Sequence, residues 1–250
     1  MNVRAAVHIE LDAMPKYLFY YEKAESVRWL GHLDILRAFE RAVRRAELPI
    51  AFTLGFNPRV RISFASPLST GTTGSTEPAI IELIDEQSPI QLSERLNSVL
   101  PPGIRVQDFC EIPDAGSRDL LNSFAFAEYL FTCSQSSTDP ADEAKARHSV
   151  EQIMLQSEIN VVREREGRSK TLNIRPYVAS LQFEKLDREN MRLTFRVVAG
   201  IGESGNVRPG DIAEALSLYI PGLALRRAHR VCLHQNQNAR LDNRAASDLI

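Results

Sequence analysis

The sequence predicts an α+β protein of two tandem ferredoxin-like (βαββαβ) units, with antiparallel sheets that carry helices on one face. Three observations predict this fold class. Segments with strand-like and helix-like periodicity follow in the order strand, helix, strand, strand, helix, strand. The same order recurs after a polar stretch at 114–122, which we interpret as a linker. The 250 residues are 44% hydrophobic, which suffices for one large or two small domains.

The first unit is predicted at residues 16–113. Aromatic and β-branched residues indicate its first strand, and Ile35, Phe39 and Val43 recur at helical steps in its first helix. Val60 alternates with polar neighbours as in a half-buried strand, and Ser88 precedes a proline as a helix N-cap. The predicted elements are strands at 17–29, 60–64, 79–84 and 104–112, with helices at 32–47 and 89–100.

The second unit is predicted at residues 123–234, and it carries an inserted basic segment at 163–181. Its predicted elements are strands at 124–133, 159–163, 191–198 and 223–233, with helices at 139–154 and 209–219. Residues 1–15 are expected to be a flexible leader, with Met14 as an alternative start. The polar, Asn-rich residues 235–250 are expected to be a disordered tail.

Composition excludes several classes of protein. No apolar run approaches the roughly 20 residues that span a bilayer, and no secretory signal is visible. The net charge of −2 excludes a generally basic nucleic-acid binder. Cys110, Cys133 and Cys232 are widely spaced without a CxxC motif, which fits a cytoplasmic protein and argues against disulfides and structural zinc.

No metal site is predicted from the histidines. His32 and Asp34 lie two residues apart at a helix start and therefore point to different sides. His229 and His234 lie five residues apart on a predicted strand, which places them on opposite faces.

Positive charge is concentrated between Arg28 and Arg61, where seven arginines stand against three acids. Arginine is suited to bidentate phosphate contacts and to stacking on bases. Phe56, in the turn Gly55–Pro58, is expected to be a core plug rather than a stacking platform. The candidate nucleic-acid contacts are His32, Arg37, Arg41, Arg44, Arg45, Asn57, Arg59 and Arg61.

A second basic excess lies in the inserted segment. Five basic residues stand there against two glutamates, so a solvated hairpin is the alternative interpretation. The candidate residues are Arg163, Arg165, Arg168, Lys170 and Arg175.

The stretch from Trp29 to Pro67 resembles one family, the radical SAM-linked proteins of unknown function. The matching pieces are Leu30–Asp34, Glu40–Ala42, Arg44–Ala46, Leu48–Pro49, Gly55–Pro58 and Arg61–Leu68, and Asn173–Tyr177 resembles the family's second short signature. Gly31 replaces the usual serine of the first piece, which removes a hydroxyl N-cap.

The resemblance implies a partner, because members of that family occur fused to, or encoded beside, a radical SAM protein. A gene for a ribonuclease of the E/G type often lies nearby. The three cysteines are 23 and 99 residues apart and cannot form a local cluster-binding motif. We therefore expect no cofactor in this chain, and an iron–sulfur cluster and S-adenosylmethionine in the partner.

The leading hypothesis is a cytoplasmic accessory RNA-binding module that presents tRNA or rRNA to the radical SAM enzyme. One alternative is a metal-independent endoribonuclease with His32 as general acid or base and an arginine at the scissile phosphate. Another is a protein that docks on the radical SAM enzyme and touches no nucleic acid.

Overall fold

A computed structural model describes residues 14–113, 116–136, 142–165, 167–202 and 207–235 of the chain. The expected leader at 1–15 and tail at 235–250 lie almost wholly outside these described residues. The strands are β1 (Lys16–Lys23), β2 (Ile62–Phe64), β3 (Thr72–Glu82), β4 (Ile104–Ile112), β5 (Phe124–Gln135), β6 (Asn160–Arg165), β7 (Arg168–Asn173), β8 (Val178–Asp187), β9 (Arg192–Gly200) and β10 (Leu223–Gln235). The helices are α1 (His32–Arg45), α2 (Pro89–Asn97), α3 (Ser117–Asn122), α4 (Glu143–Leu155) and α5 (Pro209–Ser217).

One eight-stranded sheet runs through the described part of the molecule. Its strand order is β4-β1-β3-β10-β5-β9-β8, and β2 pairs with β3 beside this path. Neighbouring strands are antiparallel except β3 and β10, which pair in parallel through Thr72–Gly74 and Ala228–Arg230. The prediction of a mixed α+β fold with a mostly antiparallel sheet is confirmed.

The β3–β10 pairing joins the two halves, and we call it the seam. Without it, each half would leave an edge strand with unpaired backbone groups. The sequence predicted separate sheets and contained no local signal for this contact, because about 155 residues separate its partners.

The first half packs α1 and α2 on one face of the sheet. Tyr17, Phe19 and Tyr21 alternate along β1 and share a buried cluster with Phe39 and Val43 of α1. Phe19 lies 5.6 Å from Phe39 between ring centroids, a usual distance for an aromatic pair. The apolar stripe predicted for the first helix therefore faces the core, which leaves its other side in solvent.

The sequence predicted helices on one face of the sheet only, and this prediction was wrong. The segment expected to be a linker at 114–122 contains α3, which packs against β3 and β5. Its Leu121 joins Leu18 and Ile80 in one buried cluster, and these two residues alternate with those that face α1. The sequence pattern did not predict this helix, because six residues form less than two helical turns and show no clear periodicity.

In the second half, the strand predicted at 159–163 is not part of the main sheet. It forms β6, which pairs only with β7 in a separate two-stranded sheet within the described residues. The main-sheet position belongs to β8, where Leu181 and Phe183 are buried against the second core. In the described residues, no helix is both long and apolar enough to cross a membrane.

Candidate functional site

The outer side of α1 presents the arginines that the sequence singled out. Asp34 caps the helix, since its carboxylate accepts a hydrogen bond from the Gly31 backbone N–H at 3.1 Å. This carboxylate satisfies the backbone N–H of Gly31, whereas a serine hydroxyl at position 31 would accept from an N–H in the first helical turn, so the hydroxyl cap is not replaced. The exposed arginines are Arg37, Arg41, Arg44 and Arg45, opposite the buried stripe.

These four side chains differ in how firmly they are held. Arg37 lies 3.9 Å from the Asp34 carboxylate, and both side chains are more than half exposed. Arg45 donates to the Val99 carbonyl at 2.6 Å, which turns it toward the end of α2. Arg41 and Arg44 are exposed on the same side of the helix. An exposed, weakly paired guanidinium retains donors for a ligand phosphate.

Residues 52–59 form an exposed finger. Phe52 bridges Val60, and the Thr53 backbone N–H donates to the Arg59 carbonyl at 2.8 Å. Asn57 and Arg59 are exposed on this finger. Phe56 is also fully exposed, so the prediction that it is a core plug was wrong. The ring does not contact the core because the whole finger, residues 52–59, projects into solvent.

Arg61 is separated from the other candidate arginines by its partner. Its guanidinium donates to Glu82 on β3 at 2.5 Å, and the Glu82 carboxylate also lies 3.8 Å from Lys16. Arg61 is therefore held by an ion pair, although Lys16 shares the same carboxylate.

His32 lies apart from the arginines of α1. Its ring packs edge-on against Phe64 at 5.7 Å between ring centroids. At about 100° per residue, Arg41 lies roughly 180° around the helix from His32. The endoribonuclease hypothesis requires Arg37, Arg59 or Arg61 at the scissile phosphate, and of these Arg37 lies roughly 140° around the helix from His32.

The second basic segment has two structural members. Arg163 on β6 pairs with the buried Asp211 of α5. Arg175 donates to the carbonyls of Met154, Gln156 and Val178, and so caps the end of α4. Arg168 and Lys170 on β7 are exposed, and Arg165 belongs to β6.

A groove of about 570 Å³ opens at the seam, and sequence reasoning missed it. Its lining residues come from the segment before α1, from the loop before β3, from β6, from the start of α5 and from β10. The residues that matter here are Trp29, Arg163, Arg208, Arg226 and Arg227. Only folding gathers them, because the arginines lie about 130–200 residues beyond Trp29.

Trp29 is the only tryptophan of the chain, and two thirds of its surface is exposed. Its ring lies over Gly71, where an added Cβ would come 3.0 Å from the ring. The Arg28 guanidinium stands 4.6 Å from the ring centroid, in cation–π range. Glu25 pairs with Arg28 and, at 3.1 Å, with Arg227 of β10. A fixed aromatic surface beside arginines is the signal that could have identified this groove.

A buried ion pair underlies the seam. Arg230 of β10, which is 1% exposed, donates through Nε to the Glu77 carboxylate at 3.0 Å and through Nη2 to the same group. It also donates to the Ser66 carbonyl at 2.6 Å. These bonds hold the second half against β3 and against Ser66, which lies just after β2 in the segment Arg61–Leu68.

Lys23 of β1 belongs to the same buried polar group. Its ammonium donates to the Leu30 carbonyl at 2.8 Å, just before α1. Burial lowers the pKa of Lys23 to about 8, while nearby Glu77 opposes that shift. Burial also raises the pKa of Tyr21 above its usual range. The residues before α1 are thus anchored from beneath.

Three solved structures are similar to this chain. They are a chain titled as a Cbf5-Nop10-Gar1 complex (TM-score 0.49, 11% identity), one of an H/ACA RNP bound to a substrate RNA containing 2'-deoxyuridine (0.47, 10%), and one of an archaeal box H/ACA sRNP Nop10-Cbf5 complex (0.46, 12%). They cover 87%, 87% and 90% of this chain. This chain covers 48%, 47% and 50% of theirs, so it spans about half their length.

No functionally curated protein matches the chain. A family model described as "Uncharacterized protein conserved in bacteria (DUF2344)" matches residues 16–209. The match begins at β1 and ends at the start of α5, so it includes α1, the finger, Glu77 and the hairpin of β6 and β7. The chain therefore belongs to this conserved bacterial family, DUF2344.

Proposed function

We propose that the protein is an accessory RNA-binding module whose seam groove holds a single-stranded segment of RNA. The observation that carries this proposal is Trp29, an exposed ring fixed beside Arg28 at the mouth of an arginine-lined groove. Aromatic stacking accepts any base, and arginines follow the phosphates. Arg208 and Arg226 supply exposed guanidinium groups along the groove.

The exposed side of α1 and the finger are the second contact surface in this proposal. Arg41 and Arg44 offer phosphate contacts, and Phe56 offers a further exposed ring. The acidic residues of the groove, such as Glu214, would then limit how many phosphates it accepts. The overall charge of −2 fits a local rather than a general affinity for nucleic acid.

The RNA would be tRNA or rRNA, and the partner that receives it would be a cytoplasmic radical SAM enzyme. That partner would hold the iron–sulfur cluster and S-adenosylmethionine, and a ribonuclease of the E/G type would act nearby. We further propose that each half is a ferredoxin-like unit. The orders β4-β1-β3-β2 and β10-β5-β9-β8 support this, since they place corresponding strands at corresponding positions.

The test uses the single tryptophan as a probe. Addition of tRNA or a short single-stranded RNA should quench Trp29 fluorescence, and a labelled RNA should report binding by anisotropy. Trp29→Ala should weaken binding about 5- to 150-fold, the range for one stacked base. Arg208→Gln and Arg226→Gln should each lower the slope of log affinity against log salt by about 0.7.

Arg188→Gln is the matched control, because Arg188 is an exposed arginine in the turn between β8 and β9. It should leave affinity and salt slope unchanged. Undetectable or salt-insensitive binding, or equal effects of the groove and control variants, would refute the proposal. Nuclease-resistant capture of the radical SAM partner without RNA binding would instead favour protein docking. A 2′,3′-cyclic phosphate product in EDTA that Trp29→Ala permits and His32→Ala abolishes would favour cleavage.

A further inference from the structure

Three potential metal ligands meet on the second half of the sheet, two of them on β10 just beyond the seam residue Arg230. Glu128 lies on β5, and Cys232 and His234 lie on the neighbouring strand β10. Their ligand atoms all lie within 4.8 Å of one another. Each side chain is partly exposed, so the cluster is neither a dry core nor an open surface.

A β-bulge places these side chains together. Along β10 the register moves from Arg230 opposite Tyr129 to Cys232 opposite Glu128, which leaves Val231 as the extra residue. Cys232 and His234 are then two residues apart and project from the same face.

The bulge also corrects a sequence-based expectation. His229 contacts Thr73 and Ser75, on the face where His234 contacts Glu128, so the two histidines share one face. The predicted opposite placement counted regular alternation, which the extra residue interrupts.

We propose that Glu128, Cys232 and His234 form a three-ligand site for a zinc-like divalent transition metal, with a fourth position open to solvent or substrate. The Cys232 sulfur lies 3.5 Å from His234 Nε2 and 3.7 Å from Glu128 Oε2, and the last two atoms are 3.0 Å apart. In a tetrahedral zinc site with usual bond lengths, the sulfur–nitrogen, sulfur–oxygen and nitrogen–oxygen distances are about 3.5, 3.5 and 3.3 Å. The triangle therefore matches one face of a zinc tetrahedron with small adjustments.

The supporting residues also suit such a site. Arg196 of β9 donates to the other carboxylate oxygen of Glu128, and its Nε donates to Glu184 at 2.7 Å. These bonds orient Glu128 so that Oε2 faces the cysteine and histidine. A thiolate, an imidazole and one carboxylate favour zinc over magnesium or calcium, which prefer oxygen ligands alone.

The test is metal binding by the untagged, reduced full-length chain after treatment with a chelator. Zinc titration against a chromogenic chelator should give one tight site per chain, confirmed by elemental analysis. Cobalt(II) in place of zinc should give the intense visible and near-ultraviolet bands of a tetrahedral thiolate complex. Cys232→Ser and His234→Asn should each weaken zinc binding at least about 100-fold, beyond the 10- to 100-fold typical of a lost supporting residue.

Two control variants change similar residues elsewhere. Cys110→Ser removes the exposed cysteine of β4, and His148→Asn removes an exposed histidine of α4. Both should keep the site. Circular dichroism of the zinc-free variants checks that they are folded, and the cobalt spectrum of the unaltered chain tests the site without any variant. Absence of a thiolate–cobalt spectrum, or zinc binding that survives the double change of Cys232 and His234, would overturn the proposal.

Discussion

The buried pair of Arg230 and Glu77 gives the sharpest prediction for stability. Arg230→Met keeps most of the apolar stem but removes three hydrogen bonds, two to Glu77 and one to the Ser66 carbonyl. Glu77 is only 2% exposed, so the substitution also leaves a buried carboxylate without its guanidinium partner. Bonds to charged groups contribute about 1.5–3 kcal/mol each, and nearby Lys23 compensates part of the loss. We therefore expect the free energy of unfolding to fall by about 3–5 kcal/mol.

The companion variant removes the negative charge from the other side of the pair. Glu77→Gln leaves one acceptor oxygen where Arg230 used two, and it leaves the buried guanidinium without a counter-charge, so about 3–5 kcal/mol should be lost. The double variant Glu77→Leu/Arg230→Met replaces the pair with apolar side chains. It should be more stable than Arg230→Met alone, because no unpaired charge remains buried.

Urea unfolding measures these differences, with circular dichroism for the whole fold and Trp29 fluorescence for the seam. Arg196→Met is the control, since the ion pairs of Arg196 with Glu128 and Glu184 are partly exposed. It should cost less than about 1 kcal/mol. If Arg230→Met cost no more than this control, the pair would not be buried in solution and our account of the seam would be wrong.

Three further predictions concern single side chains. Arg175→Ala should lower the free energy of unfolding by about 2–3 kcal/mol, because three carbonyls lose a charged donor. The control Arg168→Ala, at an exposed arginine, should change it by less than about 0.5 kcal/mol. Equal losses in urea unfolding would contradict the capping role. Phe56→Ser should change the free energy of unfolding by less than about 0.5 kcal/mol, and a loss above about 1 kcal/mol would show that the ring packs in solution. Burial, and secondarily Arg227, lowers the pKa of His229, so the unfolded state binds its proton first as the pH falls below about 6.5. Between pH 7 and pH 5 the unaltered chain should therefore lose more stability than His229→Gln, and parallel curves would exclude His229 as a cause.

Local pattern was enough where one face of an element is buried. The stripe of Ile35, Phe39 and Val43 predicted α1 to within two residues of its end, and the predicted strand at 104–112 coincides with β4. In the same way, the exposed arginines of α1 follow from the helical period alone. Such elements can be predicted from the sequence because their buried residues recur every three to four positions in a helix and every two in a strand.

Contacts across long sequence separations were not predictable in this way. Arg230 and Glu77 are 153 residues apart, and neither stands in a motif. The same holds for the groove, where the sequence named Arg163 as a phosphate ligand although Asp211 holds it. A bulge of a single residue at Val231 then reversed the expected side of Cys232 and His234 on β10.

β10 is the element on which these features converge, and its bulge at Val231 separates the buried pair from the proposed metal ligands. Arg227 lies beside the groove, Arg230 points into the buried pair, and Cys232 and His234 face Glu128. The extra residue Val231 thus places Arg230 on one face of the strand and Cys232 and His234 on the other. The family match ends at residue 209, so these residues of β10 lie beyond the segment that defines the family. Arg230 nevertheless binds Glu77 and Ser66 inside that segment, so a strand beyond the matched residues supplies a cation to the buried Glu77.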